Sequence, residues 1–188
     1  MSYIEPPPKL TKPDDFEKAK LQNALGENGD YDEFHIRKAH VSEVKEILEL
    51  INTFAASNLM LARGPQYLYE NIRDFTIATR KIDNQKSIIS ACGSLHVLWE
   101  DIAEIRSTDI HTDFQKHGLG RKIVDFMKKE AKELGIRKLF TFTLAEDFFK
   151  ALGFERKDKE QLPLKVWGEC SRCPKYFRCD EVGMILEI

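Results

Sequence analysis

The sequence has no long apolar run, no excess of one charge and few cysteine or tryptophan side chains. Its hydrophobic stretches fall well short of the ~20 residues that a membrane-spanning helix needs, so no membrane partner is expected. Lysine and arginine number 29 against 31 aspartates and glutamates, a formal net charge of -2 with both signs interspersed. Such a balance gives no broad cationic field for nucleic acid and no polybasic run for an anionic lipid surface. Met1 to Leu10 contain no apolar core of a secretory signal, and the expected compartment is the cytoplasm. The four cysteines would there stand as thiols or metal ligands and not as disulfides. The composition, 42% hydrophobic and 32% charged over 188 residues, suits one compact domain with a real core.

Residues 1–33 read as an extension, and residues 34–188 as the domain. Pro6, Pro7, Pro8 and Pro13 favour extended backbone. A short helix is expected over Asp14 to Leu25, before a breaker cluster at Gly26, Asn28, Gly29 and Asp30. Beyond it, Phe34 to Ala39 reads as a strand. Ser42 is placed to cap a helix reaching about Asn58, with Val44, Ile47, Leu48 and Ile51 as its apolar stripe. Gln66 to Arg73 reads as a second helix, Phe75 to Thr79 as a strand, and Asp83 to Lys86 as a turn. Ser87 to Leu98 and Ala103 to His111 read as a strand pair. Leu119 to Leu134 is the clearest helix, with Gly135 where a left-handed C-terminal cap belongs. Lys138 to Thr143 is a buried-type strand, Asp147 to Leu152 a short helix ended by Gly153, and Val182 to Ile188 a last strand. Helices interleaved with strands that are partly joined by short turns predict an α/β protein, of α+β type, with a mixed central sheet and helices on both faces.

The chemistry is concentrated in Gln115-Lys116-His117-Gly118-Leu119-Gly120-Arg121, entered by a strand and left by a helix. Free amides at a helix start, with the partial positive charge of the helix dipole, form a site for a pyrophosphate. Gln115-x-x-Gly118-x-Gly120 resembles the acetyl-CoA motif of the GNAT (GCN5-related) N-acetyltransferases, and stands in that family's order. Phe148-Phe149-x-x-Leu152-Gly153-Phe154 is similar to the family's later signature. The resemblance covers about residues 34 to 188. It implies an N-acetyltransferase with acetyl-CoA as co-substrate. Asp109 to His111, including Ile110, would pair with the pantetheine arm, and the amides of His117 through Arg121 would hold the pyrophosphate. Phe149 would lie against the cofactor. A homodimer is expected on the same ground.

Ala91 to Arg106 and Lys138-Leu139-Phe140, followed by Thr141 to Thr143, are similar to short bacterial N-acetylglutamate synthases. Leu59 to Arg63, a helix and Asp74-Phe75 also resemble the acetyltransferase domain of the long ones. The implied acceptor is L-glutamate. Glu104 and Arg106 alternate along one strand and so share a face. Glu104 suits removal of the ammonium proton. Arg63 and Arg106 suit the two carboxylates of glutamate, because a guanidinium offers two parallel donors. The plainer readings are a surface or ion-paired Glu104, an Arg106 salt-bridged to it, and a surface Arg63. His96 reads as a packed, hydrogen-bonded histidine.

Two departures from the resemblance stand out. Where long synthases have Thr-Arg-Ser, this chain has Leu144 and Ala145, which cannot grip a carboxylate; Lys165 is the candidate replacement cation. Phe148 and Phe149 lack the hydroxyl with which many GNAT enzymes protonate the leaving thiolate, and Thr143 is the alternative. Cys170-x-x-Cys173-x5-Cys179 has a spacing that can bind zinc, with Cys92 or a histidine needed as the fourth ligand. A redox pair is a further reading of the C-x-x-C spacing, and ordinary buried thiols packed under the Pro174 turn are the preferred one. Two other functions fit parts of the pattern: an acetyltransferase for another small amine or a protein amine, and a non-catalytic acyl-CoA-binding module.

Overall fold

The computed structural model describes residues 34–82, 87–158, 161–162, 170, 173 and 175–188. The predicted extension with its short helix, the turn at 83–86 and Lys165 lie outside the described residues. Seven strands form one sheet in the order β1-β2-β3-β4-β5-β7-β6. They are β1 (Phe34–Lys38), β2 (Phe75–Lys81), β3 (Ser87–Trp99), β4 (Ile102–Ile110), β5 (Lys138–Thr143), β6 (Glu155–Lys157) and β7 (Val182–Glu187). All neighbours run antiparallel except β4 and β5, which are parallel. A parallel pair needs a crossover, and here it is the longest helix.

The helices are α1 (Val44–Ala56), α2 (Pro65–Glu70), α3 (Leu119–Glu133) and α4 (Glu146–Lys150). Each face of the sheet has its own core. On one side Ile123, Val124 and Met127 of α3 meet Ala91, Leu95 and Ile105, with Phe149 and Phe154 joining from α4 and the turn after it. On the other, Val44, Ile47 and Ile51 of α1 and Leu68 of α2 meet Phe75, Ile77 and Cys92. Fully burying one such aliphatic side chain contributes about 1.5–3 kcal/mol, so these two stripes hold both helix layers to the sheet. Gly93 lies under α3, where a Cβ would stand 3.0 Å from the Met127 methyl.

Several predicted boundaries shift for local reasons. A 3-10 turn over Val41–Glu43 precedes α1, and Glu43, not Ser42, fixes the entry. Its carboxylate accepts from the His40 N–H at 2.7 Å and from both terminal nitrogens of Arg37 at 2.9 and 2.5 Å. Arg37 and Glu43 thus hold each other in their charged forms: the hydrogen bond raises the one and lowers the other from its ordinary pKa. β2 runs two residues beyond the predicted Thr79, carrying Arg80, whose guanidinium lies 5.9 Å from the ring centres of both Phe34 and Phe114. The helix predicted over Gln66 to Arg73 divides into α2 and a 3-10 turn, Ile72–Asp74. β6, unpredicted, is a three-residue exposed edge strand against β7.

Candidate active site

The site begins where the parallel pair ends. β4 and β5 are registered only over Ile102–Glu104 and Lys138–Phe140. Beyond that point β4 bulges. Its register against β3 steps from Arg106 to Asp109, three residues, while β3 steps from Ser94 to Cys92, two. The extra residue is accommodated with Ser107 in the left-handed region, φ 50°. A bulge bends its strand and ends regular pairing, so β4 parts from β5. Between them opens a cleft of about 1170 Å³.

One end of the cleft is the glycine loop. A 3-10 turn, Thr112–Phe114, leads into it. The Gln115 amide donates to the Ile110 carbonyl at 3.0 Å, closing the loop back onto β4. Lys116 (φ 65°) and Gly118 (φ 77°) both adopt left-handed backbone, which turns the chain sharply into α3. The opening amides of a helix lack intrahelical acceptors, and those of Leu119, Gly120 and Arg121 begin a fifteen-residue helix at the cleft lining. Gly118 is required by its φ; the space above it is open to 4 Å. Gly120 is required by packing, since a Cβ there would meet the Phe148 ring at 3.1 Å and Ile110 Cδ1 at 3.2 Å. Of the two, only Gly118 leaves room for close approach of a ligand.

Ile110, Gln115, Gly118, Leu119, Gly120, Arg121 and Phe149 all line the cleft. Phe149 stands edge-on to Phe148 and Phe154 at 5.1 and 5.2 Å. Arg121 donates to the Ala151 carbonyl at 2.8 Å and ties α3 to the end of α4. The side chains of His111 and His117 are not brought into the lining; His111 instead accepts from the Asp113 N–H at 3.4 Å. The long cleft, ending at a helix start that carries two left-handed residues, fits an extended thioester with a pyrophosphate.

The other end is charged and buried. Glu104 and Arg106 share one face of β4, as their alternation predicts, and Arg106 Nε lies 3.5 Å from Glu104 Oε2. They are 1% and 8% exposed, so the plainer ion-pair reading of both residues holds, yet within the cleft lining and not on the surface. Arg63 lines the cleft as well. Its backbone is gripped on both sides by Asn52 of α1, which accepts from the Arg63 N–H at 3.0 Å and donates to its carbonyl at 3.1 Å. Tyr67 joins the two arginines. Its hydroxyl accepts from Arg106 Nη1 at 3.0 Å, and its ring lies 4.2 Å beneath the Arg63 guanidinium.

Sequence reasoning missed Tyr67 and Asn52, because neither acts until α1 and α2 are packed together. It also gave no side-chain role to Asp109, whose signal was an acid in an otherwise uncharged strand end, Ser107 to Ile110. Asp109 lines the cleft and is 5% exposed. Burial pushes its carboxyl up to about 7. The same burial, followed by the Asp109 charge, pushes the Cys92 thiol well above its usual range. His96 is hydrogen-bonded, as expected, with Nδ1 2.7 Å from an Asp74 carboxylate oxygen.

Leu144 and Ala145 line the cleft as an apolar wall. Cys170, Cys173 and Cys179 also line it, around Tyr176 and Phe177. They are not the buried thiols the sequence suggested: Cys170 and Cys173 are half-buried and Cys179 is exposed. Among the described residues no three His, Cys, Asp or Glu side chains converge to hold a metal ion.

A parted parallel strand pair, a glycine loop at the start of the crossover helix and an acid in the gap define a CoA-dependent N-acyltransferase. The sequence pattern of the acetyltransferase (GNAT) family matches residues 43–154, and the chain belongs to that family. It is an acetyl-CoA-dependent N-acetyltransferase. It is 31% identical over 150 residues to an uncharacterised N-acetyltransferase of Chlorobaculum tepidum, covering 80% of this chain and 94% of that one. It is 31% identical over 137 residues to an amino-acid acetyltransferase of Mycobacterium tuberculosis, covering 73% and 77%. Longer amino-acid acetyltransferases match over a minor part of their length, that of Buchnera aphidicola over 32%. Among solved structures, Mycobacterium tuberculosis Rv2747 in complex with CoA and NLQ superposes with a TM-score of 0.68 at 27% identity, over 82% of this chain and 99% of that one. The Neisseria gonorrhoeae N-acetylglutamate synthase complexed with coenzyme A and N-acetyl-glutamate gives a TM-score of 0.72 at 20% identity, over 82% and 35%, a likeness of fold. No helix among the described residues is long and apolar enough to cross a membrane.

Proposed function

We propose that the acceptor is the α-amino group of L-glutamate, so that the product is N-acetylglutamate and the reaction is the first step of arginine biosynthesis. The observation that carries this reading is the acceptor end of the cleft: two guanidinium groups, Arg63 and Arg106, are held by one tyrosine beside the buried Glu104. A dicarboxylic amino acid presents two anions and one ammonium. Two guanidiniums and one carboxylate are its complement in charge and number. The amino-acid acetyltransferases among the relatives support the same class of acceptor. Loss of the Thr-Arg-Ser stretch at Leu144 and Ala145 leaves Arg63 and Arg106 as the carboxylate anchors, with Lys165 retained as a candidate third cation.

In this mechanism Arg63 and Arg106 bind the carboxylates and orient the amine. Glu104 takes a proton from the ammonium, which holds its proton at neutral pH. The loop from Gln115 to Arg121 holds the donor so that its acyl group lies in the gap between β4 and β5. Phe148, Phe149 and Leu144 supply apolar lining to the cleft.

The test is acetyl-CoA with purified protein, L-glutamate and a panel of other amines, followed by thiol release and mass spectrometry of the product. Glutamate-dependent release with N-acetylglutamate formed is expected. Release with a different amine alone would refute glutamate and move Arg63 and Arg106 out of these roles. Glu104→Gln should lower kcat by about 100-fold, within the range of general-base effects; unchanged kinetics at every pH would exclude Glu104 as the base.

A further inference from the structure

Acetyl transfer releases a thiolate, and the tyrosine that would protonate it by resemblance is replaced here by Phe148 and Phe149. A proton donor for the sulfur must come from elsewhere in the cleft. We propose that Asp109 is that donor, giving its carboxyl proton to the CoA sulfur as the carbon–sulfur bond breaks. The assignment rests on acetyl transfer alone, whichever amine is the acceptor.

Four observations converge on Asp109. It stands just past the β4 bulge, beyond the last registered pair with β5, on the part of β4 that walls the gap. Asp109 lines the cleft although the residue is only 5% exposed. Its Oδ2 is buried and has no hydrogen-bond partner among the described residues. A carboxyl oxygen in that condition is costly as an anion and serviceable as an O–H. Finally, its proton is held up to about 7, because burial opposes the anion.

The neighbours do not reverse this. Asp109, Arg106 and Glu104 oppose Cys92, Ser94 and His96 in register, so all share one face of the sheet. Cys92 is directly across; Arg106 is turned to Glu104 and Tyr67. α1 and β2 supply the buried Ile47, Ile51, Phe75 and Ile77 on that face; among the described residues, the other charged residues of the cleft lining are Arg63, Lys116, Arg121, Arg178 and Glu181. Burial is the whole cause of the raised value. Thr143, the other candidate, accepts the Ala145 N–H at 2.9 Å on its hydroxyl, which leaves its O–H free but far less acidic than a carboxyl.

The proton balance closes. The acceptor ammonium loses one proton to Glu104 before attack. Nitrogen then bonds to the acyl carbon, and the carbon–sulfur pair leaves on sulfur. Asp109 protonates that sulfur, and the second proton shed by nitrogen restores Asp109 through solvent. One proton is released overall for each thiol formed.

The experiment compares wild type with Asp109→Asn and, as a control, Thr143→Val. Single-turnover acyl transfer from acetyl-CoA is followed across pH, using L-glutamate or whichever panel amine releases most thiol. Asp109→Asn should slow the step by about 100-fold below neutral pH, the lower end of general-acid effects, with little change in acetyl-CoA affinity. The alkaline fall of the wild-type profile should disappear. In the CoA complex below neutral pH, infrared spectra should show an un-ionised carboxyl C=O band that Asp109→Asn abolishes. A rate within threefold of wild type would overturn the proposal. So would a loss equal at all pH and matched by weaker acetyl-CoA binding, which marks a structural role, or a loss found only in Thr143→Val.

Discussion

Replacing Asp109 by asparagine should make the unliganded protein more stable, by an amount that grows with pH. The side chains are nearly isosteric, so the change removes a titratable proton and little else. The folded carboxyl titrates near 7 against an ordinary value of 3.8. Between those values the folded state binds the proton that the unfolded state has released, and stability therefore falls as pH rises. The contribution is intact below the unfolded value and is lost on passing upward through the folded one. A span from 3.8 to about 7 corresponds to roughly 4 kcal/mol in total. Between pH 5 and pH 8 the share lost is about 3 kcal/mol. A constant cost from unmatched amide hydrogen bonds offsets the variant equally at both pH values. The difference in stability, variant minus wild type, should thus increase by about 3 kcal/mol between pH 5 and pH 8, read by urea unfolding with equal slopes. With a slope of about 2 kcal/mol per molar, that is a relative midpoint shift of about 1.5 M. A difference that stays constant across this range would show that Asp109 is ionised throughout, and would remove the physical basis of its proton-donor role.

Three other substitutions separate the two ends of the cleft. Tyr67→Phe keeps the ring beneath Arg63 and removes the oxygen that accepts from Arg106 at 3.0 Å. About 1.4 kcal/mol for the lost bond predicts an acceptor KM about tenfold higher, with the acetyl-CoA KM unchanged; equal shifts in both would argue against an acceptor-side role. Gly118→Ala meets no steric obstacle but forces a side chain into φ 77°, which should cost about 1–2 kcal/mol of stability and weaken CoA binding in calorimetry. Glu104→Gln, by contrast, should leave CoA binding intact while the acetyl-transfer rate falls, because Glu104 belongs to the acceptor end; weaker CoA binding in that variant would contradict the division of the cleft.

The CoA end was legible in the sequence because its information is local. A helix start, a glycine loop and an entering strand are consecutive in the chain, and a motif of consecutive residues survives without knowledge of the fold. Periodicity likewise placed α1 and α3, since each has one apolar stripe, whereas the long strands, buried on both faces, read as largely apolar runs between turns. β6 was not legible: Glu155, Arg156 and Lys157 are all exposed on an edge strand, so nothing alternates. The acceptor end was legible only in part. Glu104 and Arg106 lie two apart on one strand, and resemblance supplied Arg63. Tyr67 and Asn52 acquire meaning when α1 and α2 fold over the same sheet face and bring residues 52, 63, 67 and 106 together.

Asp109 shows a different limit. Its identity was visible, but its chemistry depends on a bulge that no local pattern announces. Without the extra residue at Ser107, strict alternation from Glu104 and Arg106 would place Thr108 on their face and turn Asp109 toward α3. The bulge instead puts Asp109 opposite Cys92, on the apolar side facing α1. The same irregularity that separates β4 from β5 to admit a thioester therefore also buries a carboxyl against the open strand edge. Geometry and protonation state have one cause. Lengthening or deleting the bulge should alter acyl-donor access and Asp109 ionisation together, and cannot be expected to change either alone.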